Sequence, residues 1–209
     1  MLFTFSNQLL LKQKLQTVYV ARETPGSGSV YLPISWWYRV WIIGAGGGAG
    51  GGSYGKDNKS AGWGAGGGSG FIGDVFLNKG TYTYSCGNGG AGGGVGRKTG
   101  NQGHDGGKTF IRTASGDDVI TAGAGSGGAS RWFGGNSPEG TPCGRGGILT
   151  IASSLQQRNV QLSRNGNGAS GYNGGAALYA GYGRGGGGAY KGTGGSGKPG
   201  YIKIELQPV

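Results

Sequence analysis

The 209-residue chain holds 56 glycines but only 6 prolines, which excludes a collagen-type repeat, because that repeat needs abundant proline. Its 5 tryptophans, 11 tyrosines and 6 phenylalanines argue against a disordered linker. The net charge of +11 favours polyanionic partners such as nucleic acid, anionic membranes or phosphorylated glycans, or serves solubility alone. No apolar stretch is long enough for a transmembrane helix, and we expect no signal peptide.

The first 35 residues differ from the rest because they are apolar and almost free of glycine. We interpret residues 1–35 as a docking arm that attaches the protein to a partner. Within it, the pattern predicts a short helix over 7–16, a strand over 17–21 and a turn or hinge over 24–29. Residues 36–209 are predicted to form one glycine-rich domain.

Runs of β-branched and aromatic residues separate the glycine tracts and predict an antiparallel β framework with negligible α-helix. Short turn sequences at 78–80 and 115–117 predict two hairpins, and a third is expected between 148–152 and 160–162. The predicted strands are 17–21, Trp36–Ile43, 71–77, 81–86, 108–114, Asp118–Ala122, 148–152, 160–162 and Tyr201–Leu206.

The glycine tracts predict a second kind of structure, a bundle of polyglycine-II helices. Such a helix has three residues per turn and no internal hydrogen bonds. When glycine recurs every third residue, two helices approach closely enough to hydrogen-bond to each other, which satisfies the buried backbone. The bundle interior then has almost no side chains, so the β strands must supply the hydrophobic core.

Motifs that suggest chemistry are weak in this chain. The glycines of 44–49 match a dinucleotide-binding spacing but continue into more glycine and not into a helix. One histidine, His104, and two cysteines provide too few ligands for a zinc site. We therefore expect no cofactor, no metal and no enzymatic activity. Cys86 and Cys143 form either one disulfide or two separate thiols.

Aromatic and basic residues inside the glycine tracts are the candidate binding surface. Tyrosine and tryptophan give a large contact area at low entropic cost, and loops on a rigid scaffold often carry binding. The alternatives are that these rings pack on the flanks of the bundle, or that they bind RNA as arginine–glycine segments do. The candidates for receptor binding are Trp63, Trp132, Phe133, Tyr172, Tyr179, Tyr182, Arg184 and Tyr190.

Four stretches in residues 38–206 follow in order the pattern of a known domain family. They are YRVWIIGAGGGAGGG, GFIGDVFLNKGTYTYSCGNGGAGG, GGKTFIRTASGDDVITAGAGSGG and GGSGKPGYIKIEL. The succession resembles the glycine-rich domain of bacteriophage and bacterial surface proteins and of anaplastic-lymphoma-kinase-type receptors. It is also similar to the tail-fibre-tip adhesins of T-even-like phages. The resemblance implies a jelly-roll-like framework that leads into polyglycine-II helices.

The resemblance implies a function as a receptor-binding tip displayed on a bacteriophage virion. The expected partners are a host envelope protein or glycan, and a virion fibre or tail protein bound through residues 1–35. We expect no membrane insertion, nucleic acid is disfavoured, and homo-oligomers are left open. The main alternative is a structural glycine-rich protein of an extracellular filament or matrix, and a weaker one is ice or nucleic-acid binding.

Overall fold

The computed structural model describes residues 18–53, 60–97, 100–132, 144–163, 181–189 and 192–208. These residues form strands and glycine-rich tracts without any helix, so the prediction of a mainly β protein is confirmed. No helix that could span a membrane is present in these ranges. The strands are β1 Val18–Arg22, β2 Gly26–Leu32, β3 Trp36–Ile43, β4 Ser60–Gly62, β5 Gly70–Leu77, β6 Gly80–Cys86, β7 Thr109–Thr113, β8 Asp118–Ala122, β9 Ser130–Trp132, β10 Leu149–Ile151, β11 Gln157–Ser163 and β12 Tyr201–Leu206.

Ten strands form two five-stranded antiparallel sheets that share one hydrophobic core. The first sheet has the order β1-β12-β3-β5-β11, and the second has the order β10-β8-β7-β6-β2. Tyr38 and Ile204 from the first sheet and Leu32, Ile111 and Ile120 from the second are buried in the same cluster. β3 and β6 alternate between buried and more exposed residues, so one face of each packs on this core, whereas β5 and β8 are buried along most of their length.

The predicted bounds of β3, β8 and β12 are correct, but two of the three predicted hairpins are wrong. β7 and β8 pair as predicted. β5 pairs with β3 and β11, whereas β6 pairs with β2 and β7, so residues 78–79 carry the chain from one sheet to the other. β10 and β11 also lie in different sheets. A short turn can join two strands of one sheet in a hairpin or two strands of different sheets. Here the strands lie in different sheets, because both are buried against the one core that the sheets share.

The boundary predicted after residue 35 does not separate an arm from the domain. β1 pairs with β12, and β2 pairs with β6 along its whole length. Val20 and Leu32 are buried in the common core. Residues 26–29 form a strand where a hinge was predicted. The predicted helix over 7–16 lies outside the described residues.

Eight glycine-rich tracts of the described chain form the second region of the molecule. They have few side chains to pack, and they are joined by backbone hydrogen bonds of 2.7–3.2 Å between tracts. The tracts are tract 1 (44–53), tract 2 (62–69), tract 3 (87–96), tract 4 (100–107), tract 5 (123–129), tract 6 (144–148), tract 7 (181–189) and tract 8 (192–200).

Tract 1 lies at the centre of these tracts, and all its residues are buried. Every backbone N–H from 44 to 52 donates to another tract, and the recipient changes with a period of three. Gly44, Gly47 and Gly50 donate to tract 2, the next residue of each triplet donates to tract 4, and the third donates to tract 8. The carbonyls of tract 1 accept from tracts 3, 5 and 7.

The tracts around tract 1 form a closed ring in the order 2, 5, 4, 3, 8 and 7. Each tract of the ring is hydrogen-bonded to the next in antiparallel direction, and tract 7 returns to tract 2. Tract 6 lies outside the ring against tracts 2 and 5. The described chain therefore has a central backbone segment with a neighbour on six sides.

Close approach explains why this region requires glycine. A Cβ at Gly48 would lie 2.0 Å from the Ala91 carbonyl oxygen, and one at Gly62 would lie 1.7 Å from the Gly50 oxygen. Real side chains do not approach backbone atoms at such distances. The glycine content is therefore a packing requirement of the centre.

Candidate binding end of the glycine bundle

The tracts have two distinct ends, which we call the sheet end and the far end. At the sheet end the tracts join the strands, as tract 1 does where Gly44 follows β3 and tract 5 does where Gly123 follows β8. The chain reaches the far end at residues 53, 97, 132 and 189 and is next described there at residues 60, 100, 144 and 192; residues 54–59, 98–99, 133–143 and 190–191 lie outside the described residues. Both described neighbours of each of these segments lie at the far end.

The described residues of the far end form its polar and aromatic surface. Arg97 and Asn101 are exposed, and Trp63 is half-buried where tract 2 begins. The backbone N–H of Trp63 donates to the Ala129 carbonyl at 2.9 Å, which fixes the start of tract 2. A two-stranded ribbon of β4 and β9 also lies here and was not predicted from the sequence.

The structure does not bring the predicted receptor-binding residues to one place. Of those in the described ranges, Trp63 and Trp132 belong to the far end, whereas Tyr182 and Arg184 belong to the sheet end. Four further candidates lie outside the described residues. In the sequence, Phe133 directly follows β9, Tyr190 directly follows tract 7, and Tyr172 and Tyr179 lie between β11 and tract 7.

Tyr182 is part of the junction between the bundle and the sheets. Its ring stacks on Tyr201 of β12 with the ring centres 4.8 Å apart. Gly183 has a φ of 73°, which an L-residue rarely adopts, and its backbone meets the start of tract 1. Arg184 is exposed beside it, and its carbonyl accepts a bond from the Lys198 N–H at 2.8 Å.

The sequence has no acidic residue between Glu139 and Glu205, but the basic residues of this stretch do not form a single face in the described structure. Arg158 of β11 lies 3.8 Å from the Asp74 carboxylate. Lys203 lies 2.8 Å from Glu205. Arg145 is exposed on tract 6, and Arg184 lies at the sheet end. The basic residues of this stretch are thus divided among separate surfaces, and two of them, Arg158 and Lys203, are already paired with carboxylates.

The outer face of the first sheet is held by its own ionic and aromatic contacts. Asp74 is 4% exposed and accepts from Arg39 at 3.1 Å and from Asn159 at 2.7 Å. The Arg158 guanidinium lies 4.2 Å from the centre of the Trp37 ring. These cations are engaged within the face, so they are less available to a ligand.

Groups that could support catalysis are dispersed in the described chain. No cluster of three or more histidine, cysteine, aspartate or glutamate residues is found in the ranges described. Burial raises the pKa of the Cys86 thiol to about 11, and nearby Arg22 only partly offsets this effect. A protonated thiol is a poor nucleophile and a poor metal ligand at neutral pH. Cys143 lies outside the described residues.

No family model matches the chain, and no curated protein matches it either.

Proposed function

We propose that the glycine tracts are polyglycine-II helices packed hexagonally and that the two sheets form a jelly-roll-like framework. The threefold alternation of hydrogen-bond partners along tract 1 supports the helices, because a polyglycine-II helix has three residues per turn. The central tract with six surrounding tracts supports the packing. At about 3.1 Å per residue, tract 1 would be about 30 Å long.

Amide hydrogen exchange measured residue by residue tests the helices. All amides from 44 to 52 should be protected, because each donates to another tract. In tract 3 the protected amides should recur every third residue, at Gly90, Gly93 and Gly96. Uniformly fast exchange in both tracts would contradict the bundle, and uniform protection in tract 3 would contradict the threefold register.

We further propose that the protein is a virion surface protein of a bacteriophage, an adhesin at a tail-fibre or tail tip that contacts the host cell envelope. The observation that carries this proposal is the far end itself. Several connections leave a backbone-bonded column at the end opposite the sheets, which is how rigid scaffolds display binding loops. On this proposal the protein acts by binding and without catalysis.

The composition of the far end suits an envelope protein or an anionic glycan. In the sequence, the segments between the described far-end residues, together with their neighbours, combine aromatic residues with an excess of basic ones, which would speed association with a negative surface. Rings in such loops act as contact anchors. The charged residues concerned are Lys56, Lys59, Arg97, Lys98, Arg131 and Lys191 against Asp57 and Glu139.

A charge reversal at each end of the bundle tests which end binds. Arg97→Glu alters the far end, and Arg184→Glu is the matched control, because both arginines are exposed, one directly after tract 3 and the other in tract 7, and they lie at opposite ends. We expect Arg97→Glu to weaken adsorption to cells of the host bacterium about tenfold, with an unchanged melting temperature. A loss caused by Arg184→Glu alone would move the site to the sheet end, near Tyr182.

On this proposal, residues 1–17 attach the domain to a fibre or tail protein, since residues 18–35 belong to the sheets. A chain that starts at residue 18 should fold but fail to enter virions. Its folding is checked by a thermal melt, and its incorporation by blotting purified particles. Normal incorporation would contradict an attachment role.

The second candidate is a structural protein of an extracellular filament or matrix. It is favoured by tract 6, which joins the outside of the ring through backbone hydrogen bonds and so shows that the ring can accept a further tract. Electron microscopy with an antibody against this chain distinguishes the two. Label at fibre tips supports the adhesin, and label along extended polymers supports the filament.

A further inference from the structure

In the described chain the two sheets have four edge strands, and three of them carry features that hinder pairing with another strand. β1 contains a register shift between Val18 and Val20 and ends in Arg22. β10 has only three residues. β11 contains a register shift, the charged Arg158, and Asn159 with a φ of 52°. Bulges, charges and short length are the usual protection of sheet edges.

β2 lacks all of these features. Its sequence, GSGSVYL, has no charged residue and no proline, and all seven residues pair with β6 in continuous register. Gly28 lies beneath the Tyr84 ring, where a Cβ would be 2.6 Å from the Tyr84 hydroxyl, so the register is well determined. An edge of this length without protection is a template for a further strand.

The backbone groups that β2 turns outward can be identified. In an antiparallel edge strand, alternate residues direct their N–H and C=O away from the partner strand. The Ser27 carbonyl accepts from the Arg22 guanidinium at 3.4 Å, so Ser27 belongs to the outward set. Ser29 and Tyr31 follow at the same alternation. This Arg22 contact is long and exposed, so an incoming strand could displace it.

We propose that two copies of this chain associate through β2, which pairs antiparallel with β2 of the second copy about a twofold axis at Ser29. The second sheets of the two copies then form one continuous ten-stranded sheet. Ser29 lies opposite its own counterpart, and Ser27 lies opposite Tyr31 of the second copy. Each of these outward pairs exchanges two backbone hydrogen bonds.

The side chains favour a second copy as the occupant, because β2 is complementary to itself. Tyr31 is 54% exposed, and in this pairing its ring lies over the small residues Ser27 and Gly28 of the other copy. An open groove of about 540 Å³ runs along these residues towards Phe110 and gives the ring room. β2 itself brings no charge to the pairing in a protein of net charge +11, and Arg22 would have to leave the Ser27 carbonyl.

Disulfide trapping tests the twofold register in the full chain. Ser29→Cys, in a background that carries Cys143→Ser, should form a covalent dimer on mild oxidation, since the paired backbone atoms are within the range of a disulfide. Thr150→Cys on β10 is the control, because it is exposed on the opposite edge of the same sheet. Equal crosslinking of both variants would show random collision and overturn the proposal.

Sedimentation equilibrium tests the association without any crosslink. Ser29→Pro removes an outward N–H, which an edge strand tolerates, and Ser29→Lys places two positive charges opposite each other. Each should weaken dimerisation at least about tenfold, whereas Thr150→Lys should leave it unchanged. A monomer at every concentration, or a dimer that both Ser29 variants leave intact, would overturn the proposal.

Discussion

The two five-stranded sheets, which form a sandwich, and the eight glycine-rich tracts, which form the glycine bundle, have opposite kinds of interior. In the sandwich, side chains such as Tyr38, Ile111 and Ile204 fill the space between two sheets. In the bundle, the centre is backbone, and tract 1 carries side chains only at Ala45, Ala49 and Ser53. The sandwich is stabilised by apolar burial. The bundle has very little apolar side chain to bury and depends on hydrogen bonds and close van der Waals contact.

This difference predicts opposite sensitivities to substitution. A side-chain core is destabilised when atoms are removed, because a cavity remains. A backbone core is destabilised when an atom is added, because the tracts must separate and their hydrogen bonds must lengthen. The two regions are also continuous, since strands lead directly into tracts at the sheet end. A destabilising substitution in either region should therefore also perturb the residues where the strands lead into the tracts.

The largest effect is expected from adding one methyl group at the centre of the bundle. Gly48→Ala would place a Cβ 2.0 Å from the Ala91 oxygen. The free energy of unfolding should therefore fall by at least about 4 kcal/mol, or the chain should not fold. Gly94→Ala is the control, since the nearest atom to its Cβ is a side-chain atom at 3.5 Å. Comparable stability of the two variants in urea titrations would refute a backbone core.

A smaller loss is expected from removing atoms in the sandwich. Leu32→Ala empties a fully buried site in β2 and should cost about 2–5 kcal/mol. Val160→Ala on β11 is the control, because Val160 is 36% exposed and should change stability by less than about 1 kcal/mol. A small effect at Leu32 in thermal melts would show that β2 contributes little to the core.

The smallest effect is expected from alkaline pH, and it should arise in the sandwich. Burial raises the pKa of Cys86 to about 11 and also raises the pKa of Tyr38 and Tyr82. A raised folded-state pKa contributes stability that is present at lower pH and lost as these groups ionise. The free energy of unfolding should therefore fall above about pH 9. Tract 1 has no ionisable side chain to add to this loss.

Replacing the thiol tests this assignment. Cys86→Ala should remove the part of the alkaline loss that belongs to the thiol while leaving the tyrosine part in place. The measurement is a series of urea titrations between pH 7 and about pH 11, within the range set by the raised pKa. An unchanged pH dependence in the variant would assign the loss to the tyrosines alone.

The local strands were predictable, but their partners were not. WWYRVWII and YIKIEL contain the β-branched, aromatic and alternating residues that form strands, and β3 and β12 have the predicted bounds. β2 was missed because GSGS is typical of a turn, and it forms a strand here by pairing with β6. β4 and β9 were missed because three residues without a strong pattern give too little signal.

For the candidate site, too, the residue types were predictable from the sequence and their location was not. Aromatic and basic residues among glycines were recognisable from the sequence, but nothing local shows at which end of a tract a residue lies. That depends on the direction of each tract in the fold: tract 1 follows β3 and runs away from the sheets, whereas tract 2 leads into β5 and runs towards them. Trp63 and Arg184 were both candidates in the sequence, and they lie at opposite ends in the structure. Arg97 carried no distinguishing signal at all.

The sequence by itself determined that this protein has strands, that its glycines are too numerous for ordinary packing, and that its aromatic residues require a folded scaffold. These properties depend on residue type and on near neighbours along the chain. Only the tertiary structure decided which strands share a sheet, which tract is central and which residues reach the far end. Those outcomes depend on contacts between residues that are distant in the sequence. The reason why a given position requires glycine is likewise visible only when the backbone packed against it is known.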